Sequence, residues 1–590
     1  MAHGGKNKGY VKPKEGKKTF LRLAAYLGDS KGKLSVVMVL VVISIACSLL
    51  GSYMLRPIIN DYIMPGDIPG LLRMLVILAG IYLAGVVAAF IQYRMLNRIG
   101  QKTAARLRME LFTKMETLPV KYFDTHPHGD LMSRYTNDMD RISEVLTDNL
   151  ADMISAVLSL TGILVLMLII SPLLTLSMFI IVPVMLLFVN IIAKRSRKYF
   201  TAQQNTIGDV NGYIEEMISG QKVIKIFGQE KKVEGEFDVR NKTLYEKSRK
   251  AQLFSGMMMP IMQNFNTLNF VVVTIVGALL AIYRGFDVGG LAAFLQYSRQ
   301  FGRPITDIAS LYNNIQSAIA GAERVFDILD QPSEPADPKD AVHLVINEVK
   351  GDICLTGVWF SYDPEKPVLK NISLHARPGE RIGLVGSTGA GKTTILNLLP
   401  RFYDIDKGDI TIDGIPIKNI VRRDLRSSLA IVLQDTHLFT GTVTENIRFG
   451  KPKATREDVI EAAKLTSAHS FIKRLPQGYE TILENDGENL SQGQRQLLNI
   501  ARAAVSDPAI LLLDEATSNI DTRSETLIQE GLDKLMEGRT SFVIAHRLST
   551  VRNLDRILVL ENGEIAEEGS HTQLMEKQGI YYHLYRNQFA

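Results

Sequence analysis

Arg381-Ile-Gly-Leu-Val-Gly386-Ser387-Thr388-Gly389-Ala390-Gly391-Lys392-Thr393-Thr394 is the stretch that decides how this chain is read. The apolar residues up to Val385 predict a buried strand, and from Gly386 the residues fit G-x-x-x-x-G-K-[ST]. Glycines at those positions let a tight loop point backbone N–H groups at phosphate oxygens, and the helix that follows adds its positive end. Lys392 is placed to reach the β- and γ-phosphates, and the Thr393 hydroxyl to coordinate Mg²⁺. The expectation is a nucleoside triphosphate site running from Gly386 to Thr394.

Two further stretches gain meaning from that loop. Ile510-Leu-Leu-Leu-Asp514-Glu515 predicts a buried strand ending in two carboxylates. If it runs parallel to the phosphate-loop strand, Asp514 lies near Mg²⁺ through a water, and Glu515 is suited to orient and deprotonate the attacking water. At Asn489-Leu490-Ser491-Gln492-Gly493-Gln494-Arg495-Gln496, Ser491 and Gly493 sit at a predicted helix start. There they offer a hydroxyl, backbone N–H groups and the helix dipole to an anion. As a bare string this is also an ordinary helix cap.

The N-terminal half is of a different kind. Leu34–Leu55, Met74–Tyr93, Met153–Ile170 and Pro172–Ala193 are runs of bilayer-spanning length. Ser171-Pro172 leaves almost no loop between the third and fourth. Met257–Tyr283 is a fifth run, interrupted by Gln263, Asn264, Asn266 and Asn269. A sixth, from Val288 to about Ile319, is the most polar, with Gln296, Tyr297, Arg299, Gln300, Arg303 and Asp307. Polar groups at membrane depth usually face the bundle or a water-filled cavity. Pro183 and Pro260 are read as helix kinks.

Charge orients the spans. Segments 94–150 and 194–256 are rich in Lys and Arg, whereas 56–72, 171–172 and 284–287 carry at most one arginine each. The positive-inside rule therefore puts both termini and both long loops in the cytoplasm. Those loops are too long to be structureless, and the spans are expected to continue as helices below the membrane. The net charge of +5 comes from residues 1–33, where nine Lys and Arg face two acids. A basic tail before an apolar run sets topology, which argues against a nucleic-acid partner. Cys47 and Cys354 cannot build a disulfide framework or a metal cluster. The first apolar run is too long for a cleaved signal peptide. The predicted organisation is a basic tail (1–33), a six-span α-helical transmembrane domain (34–330), a proline-rich linker (331–348) and an α/β P-loop NTPase domain (349–590).

As a set, these residues resemble the ATP-binding cassette exporters. Tyr362, the phosphate loop, Gln434, Leu490–Gln494, Asp514-Glu515, Ser518-Asn-Ile-Asp521 and His546 stand in that family's order. Tyr122–Asp138 and Glu215–Phe227 are similar to its two cytoplasmic coupling loops. The resemblance implies that Tyr362 stacks on adenine and that Gln434 touches Mg²⁺ and the attacking water. It implies that His546 contacts the γ-phosphate, and that Ser491, Gly493, Gln494 and Asp521 complete an ATP bound by a second copy of the domain. It further implies that the first coupling loop docks near Gln434.

Two departures matter. Gln492 stands where most members have Gly, and Asn485 where exporters commonly carry Glu. This pattern resembles the catalytically intact subunit of a heterodimeric exporter; a homodimer tolerating the Gln is the alternative. The expected function is ATP-driven export of amphipathic or lipophilic small molecules across the inner (plasma) membrane by a multi-pass half-transporter. An importer on the same fold, or an ATP-gated channel or regulatory membrane ATPase, are the other readings.

Overall fold

The computed structural model describes residues 15–434, 436–514, 522–544 and 551–589. Contacts divide the chain into two units. One holds the chain up to Thr117 together with His126–Gln331; the other holds Leu118–Thr125 and everything from Pro332 onward.

The described residues of the first unit are helical apart from short turns. Its long helices are Lys31–Tyr53, Ile68–Glu116, Leu150–Ile170, Pro172–Ser219, Met258–Arg284 and Val288–Leu329. Two of them, of 49 and 48 residues, are far longer than a bilayer needs, so they continue beyond it as expected. Among the described residues, five helical segments carry an apolar window sufficient to cross a membrane. Val288–Leu329 is not among them, although at 42 residues it is long enough. Its cavity-facing polar residues dilute the apolar signal.

Ser171 alone separates the third and fourth helices; its hydroxyl accepts from the Leu174 N–H, and Pro172 opens the next helix. Proline costs nothing there, because the first-turn N–H has no helical acceptor. The same reasoning corrects the reading of Pro260. It falls in the first turn of Met258–Arg284, just after the break at Met257, rather than at a kink within a span. A half-buried ion pair joins two distant helices of this unit: Asp138, 4% exposed, accepts from Nε of Arg324 at 2.8 Å. The helix Gly16–Tyr26, within the basic tail, is latched to the end of Val288–Leu329. Arg22 makes a bidentate contact with Asp330 (2.6 and 2.9 Å), and Tyr26 stacks on Phe326.

The second unit is built on a six-stranded sheet. Its order is Glu564–Gly569, Arg556–Glu561, Arg381–Gly386, Thr540–Ile544, Ile510–Asp514, Leu429–Val432. All neighbours pair in parallel except the first two strands. Ile510, Leu512, Phe542 and Ile544 pack on one face, and Leu511, Leu513 and Val543 on the other. A strand covered on both sides has no polar face to show, which is why these segments read as unbroken apolar runs. A four-stranded antiparallel sheet, including Ile353–Asp363 and Lys366–Ala376, packs through its own apolar side chains in the second of those cores.

The stretch 331–348 is docked on this unit. Glu334 accepts from Arg426 (3.0 Å from Nη1), Asp337 accepts from the Arg422 N–H, and Val342 bridges to Ile420.

Candidate nucleotide site

Parallel strands deliver their C-terminal ends to one edge of the sheet, and the candidate residues gather there. Ile544 pairs with Leu384 on one side and with Asp514 on the other. Asp514 is thereby brought level with the phosphate-loop strand, one strand away. Val432 pairs with Leu513, so Gln434, two residues on and exposed, belongs to the same edge. Ligands of open α/β sheets bind at this edge.

The loop is shaped by its backbone. Gly386, Gly389 and Gly391 have φ of 151°, 85° and 102°. A Cβ on Gly386 would lie 2.2 Å from the Leu560 carbonyl oxygen, and one on Gly391 2.5 Å from Leu369 Cδ2. Only glycine fits. Lys392 opens the helix Lys392–Leu398 at 6% exposure, and its Nζ donates to the carbonyls of Gly386 (2.7 Å) and Ser387 (2.9 Å). The ammonium is thus held against the loop. Ala390 and Thr394 are buried beside it, while Ser387, Thr388 and Thr393 are exposed.

Tyr362 stands at the rim, 39% exposed. Its hydroxyl donates to Thr394 Oγ1 (3.3 Å) and accepts from Asn397 Nδ2 (3.4 Å). Its ring meets Phe360 and Tyr403 edge-on at 4.8 and 5.0 Å. Sequence reasoning missed Tyr403. Its hydroxyl donates to Asp124 in the helix Val120–Thr125, and burial, reinforced by that carboxylate, pushes the phenol pKa up. Of the stretch similar to the first coupling loop, Tyr122–Thr125 therefore belongs to this unit, and it docks through Asp124 on the aromatic cluster that includes Tyr362. Asp124 stands inside that recognised stretch, but Tyr403 belongs to no motif, so nothing in the sequence pairs the two.

Ser491, Gly493 and Gln494 sit at a helix start. Ser491 caps the helix Gln492–Val505: its hydroxyl accepts from the Gln494 N–H (3.3 Å), and Gln494 Oε1 accepts from the Ser491 N–H (3.0 Å). Gly493 is buried and Gln492 exposed. Gln496, 3% exposed, ties this helix to the residues around Gln434. Its Oε1 accepts from the Thr436 hydroxyl, and its Nε2 donates to the Leu433 carbonyl (3.5 Å). Arg502 adds bonds to the His437 carbonyl (2.8 Å) and the Asn446 carbonyl (2.9 Å). Neither role was visible from spacing. Asn485 begins a short turn whose next residue, Asp486, accepts from the Leu438 N–H (2.7 Å). Glu515, Asp521 and His546 lie outside the described residues.

Among the described residues no group of three or more His, Cys, Asp or Glu forms a metal cluster. Thr393 and Asp514 supply two oxygens at one edge. That donor set suits Mg²⁺, which takes few protein ligands and completes its shell with phosphates and water.

A second polar site lies in the helical unit. A cavity of about 860 Å³ is lined by Ser48, Asp152, Ser159, Gln296, Arg299 and Arg303, among others. The polar residues of the last helix divide by face. Tyr297 is buried and donates to the Leu49 carbonyl (2.6 Å), and Ser298 meets buried Asn269. Gln296, Arg299, Gln300 and Arg303 face the cavity instead. Arg299 stacks over the Phe270 ring at 4.3 Å.

Residues 34–305 match the ABC transporter transmembrane region, and residues 369–518 match the ABC transporter domain. The chain belongs to the ABC transporter family. This transporter is 45% identical to the uncharacterized ABC transporter ATP-binding protein YfiC of Bacillus subtilis (strain 168), over 98% of its own length and 96% of that protein's. It is 40% identical to a fatty acid ABC transporter ATP-binding/permease protein of Mycobacterium bovis, over 89% and 83%. Its structure superposes on that of a bacterial Atm1-family ABC exporter with ATP bound, with a TM-score of 0.72, 28% identity and coverage of 95% and 98%. The transporter is an ATP-driven exporter, an ATPase coupled to transmembrane transport, and its second unit is an ATP-binding domain. It is a multi-pass protein of a bacterial inner membrane.

Proposed function

We propose that this transporter carries amphipathic or lipophilic molecules from the cytoplasm or inner leaflet outward, paired with a second half-transporter, with both termini cytoplasmic. The cavity in the helical unit carries this reading. An arginine facing lipid at mid-span costs about 3 kcal/mol, whereas one facing a wet cavity escapes most of that cost. A polar wall within an apolar bundle suits a cargo having both characters. The relative that transports fatty acids supports that chemistry.

At the nucleotide edge, Lys392 and the loop N–H groups bind the phosphates, while Thr393 and Asp514 would hold Mg²⁺, which would supply positive charge against the phosphate oxygens. Glu515 deprotonates the attacking water, Gln434 and His546 position it, and Tyr362 stacks on adenine. Ser491, Gly493, Gln494 and Asp521 complete the site of a partner domain. Gln492 favours a heterodimer, because an exposed amide replaces hydrogen where backbone approaches the nucleotide. The test is ATP-dependent accumulation of a fluorescent lipophilic dye or lipid in inverted vesicles, with Lys392→Ala as control. Accumulation that survives Lys392→Ala, or transport in the opposite sense, defeats the reading. Vigorous hydrolysis by the purified single chain as a homodimer defeats the heterodimer.

A further inference from the structure

Away from both sites, Lys33, Arg98, Lys102 and Arg106 line one cavity of about 400 Å³, with Tyr26 and Asp29 among the other walls. The positive-inside rule accounts for basic residues at this depth, but not for their convergence. Lys33 immediately precedes the first apolar run, and Arg98 and Lys102 follow the second.

The nearby acids are already engaged. Arg106 bonds to Asp29 (2.6 Å) and Glu110 (2.9 Å), and Glu110 also accepts from the Tyr26 hydroxyl (2.7 Å). Among the described residues, no carboxylate lies within ion-pair distance of Lys33, Arg98 or Lys102. Three like charges around one cavity repel one another until an anion joins them.

The walls above are apolar in register. Ile91, Met95, Arg98 and Lys102 fall at i, i+4, i+7 and i+11, one stripe of the helix Ile68–Glu116. Ile91 is 41% exposed, and on the neighbouring helix Val36, three residues from Lys33, is 48% exposed. The stripe thus reads apolar toward the membrane and basic at its edge.

We propose that this cavity holds the phosphate head group of an anionic membrane phospholipid, its acyl chains lying along the apolar end of the stripe. Basic pockets between helices at a membrane surface suit such heads, and a free phosphate would leave the stripe uncovered. The site adjoins the Gly16–Tyr26 helix, which Arg22 and Tyr26 latch to the end of Val288–Leu329. Bound lipid therefore braces the last membrane helix just before residues 331–348.

The test uses the full-length transporter with phosphatidylglycerol and phosphatidylcholine. Native mass spectrometry should show phosphatidylglycerol retained in preference. The double variant Arg98→Gln/Lys102→Gln should weaken that retention on the order of tenfold or more. Arg98→Lys/Lys102→Arg, which keeps the charge, should preserve it. Lys194→Gln/Arg195→Gln, which removes equal charge from another helix, should also preserve it. ATPase activity in nanodiscs should rise with phosphatidylglycerol for wild type and not for the double glutamine variant. The proposal is overturned if wild type shows no preference, if the glutamine pair retains the lipid like wild type, or if the control pair loses it equally. It is also overturned if soluble glycerol phosphate displaces the lipid, since a free phosphate would then suffice. The wild-type preference and the competition need no variant, so a misfolded mutant leaves the proposal testable.

Discussion

The phosphate loop and the membrane cavity are both polar sites, made by opposite means. The loop is a backbone object, in which Gly386 and Gly391 admit no side chain and Lys392 is pinned by two loop carbonyls. The cavity is a side-chain object, assembled from Ser48, Asp152, Gln296 and Arg299 on three separate helices. A site made of backbone conformation leaves a contiguous signature, since each strained position demands one residue type. A site made of side chains tolerates exchange of each member and leaves only scattered polarity.

That contrast is open to attack. The largest effect should come from Glu515→Gln, which keeps size and removes the base. Turnover in the assembled complex should fall by about 10²-fold or more while ATP still binds; near-normal turnover would remove Glu515 from the mechanism. Gly391→Ala tests the backbone-built site directly. It places a methyl 2.5 Å from Leu369 Cδ2 at a φ of 102°, so ATP affinity should drop by about tenfold or more, read by nucleotide titration. Unchanged affinity would mean that the loop is not held by its glycines.

Arg299→Gln tests the side-chain-built site. Cargo-stimulated ATPase and transport should fall about tenfold, the scale of one charged hydrogen bond, with basal ATPase kept. A cavity indifferent to that change would be a packing defect filled with water. Tyr403→Phe removes one phenol–carboxylate bond to Asp124 and leaves the ring beside Tyr362. It should lower transport per ATP a few-fold with little change in ATP affinity, and equal loss of both would tie Tyr403 to nucleotide binding instead.

The smallest effect is in acid. The Arg381 guanidinium, with bonds of 2.9 and 3.1 Å, holds the Asp555 carboxyl below its usual range. Because the folded pKa is depressed, its contribution is fully present above about pH 4 and is lost as pH falls further. Both side chains are partly exposed, so it amounts to under about 1 kcal/mol. Asp555→Asn should slightly lower the melting temperature at neutral pH and not in acid, measured on the full chain.

The spans, the parallel sheet and the nucleotide edge were legible because apolar length, unbroken strands and strained glycines each leave a local mark. The sixth long helix was weakly legible for the reason that makes it interesting: one face is polar. The docking of Asp124 on Tyr403 was not legible, since two ordinary residues 279 positions apart meet only through the fold. Gln496 and Arg502 stood inside or near a recognised motif, yet their bonds to Leu433, Thr436 and His437 depend on a strand order that spacing cannot reveal.

Ser171 has a consequence for how the protein can be cut or labelled. A turn of one residue between the helices ending at Ile170 and beginning at Pro172 leaves no loop there for a protease to grip or an inserted tag to replace. The hydroxyl of Ser171 caps the second helix, so anything spliced in there must first break that cap. The pair is a hairpin that can be joined to a tag only at its outer ends, not at its turn.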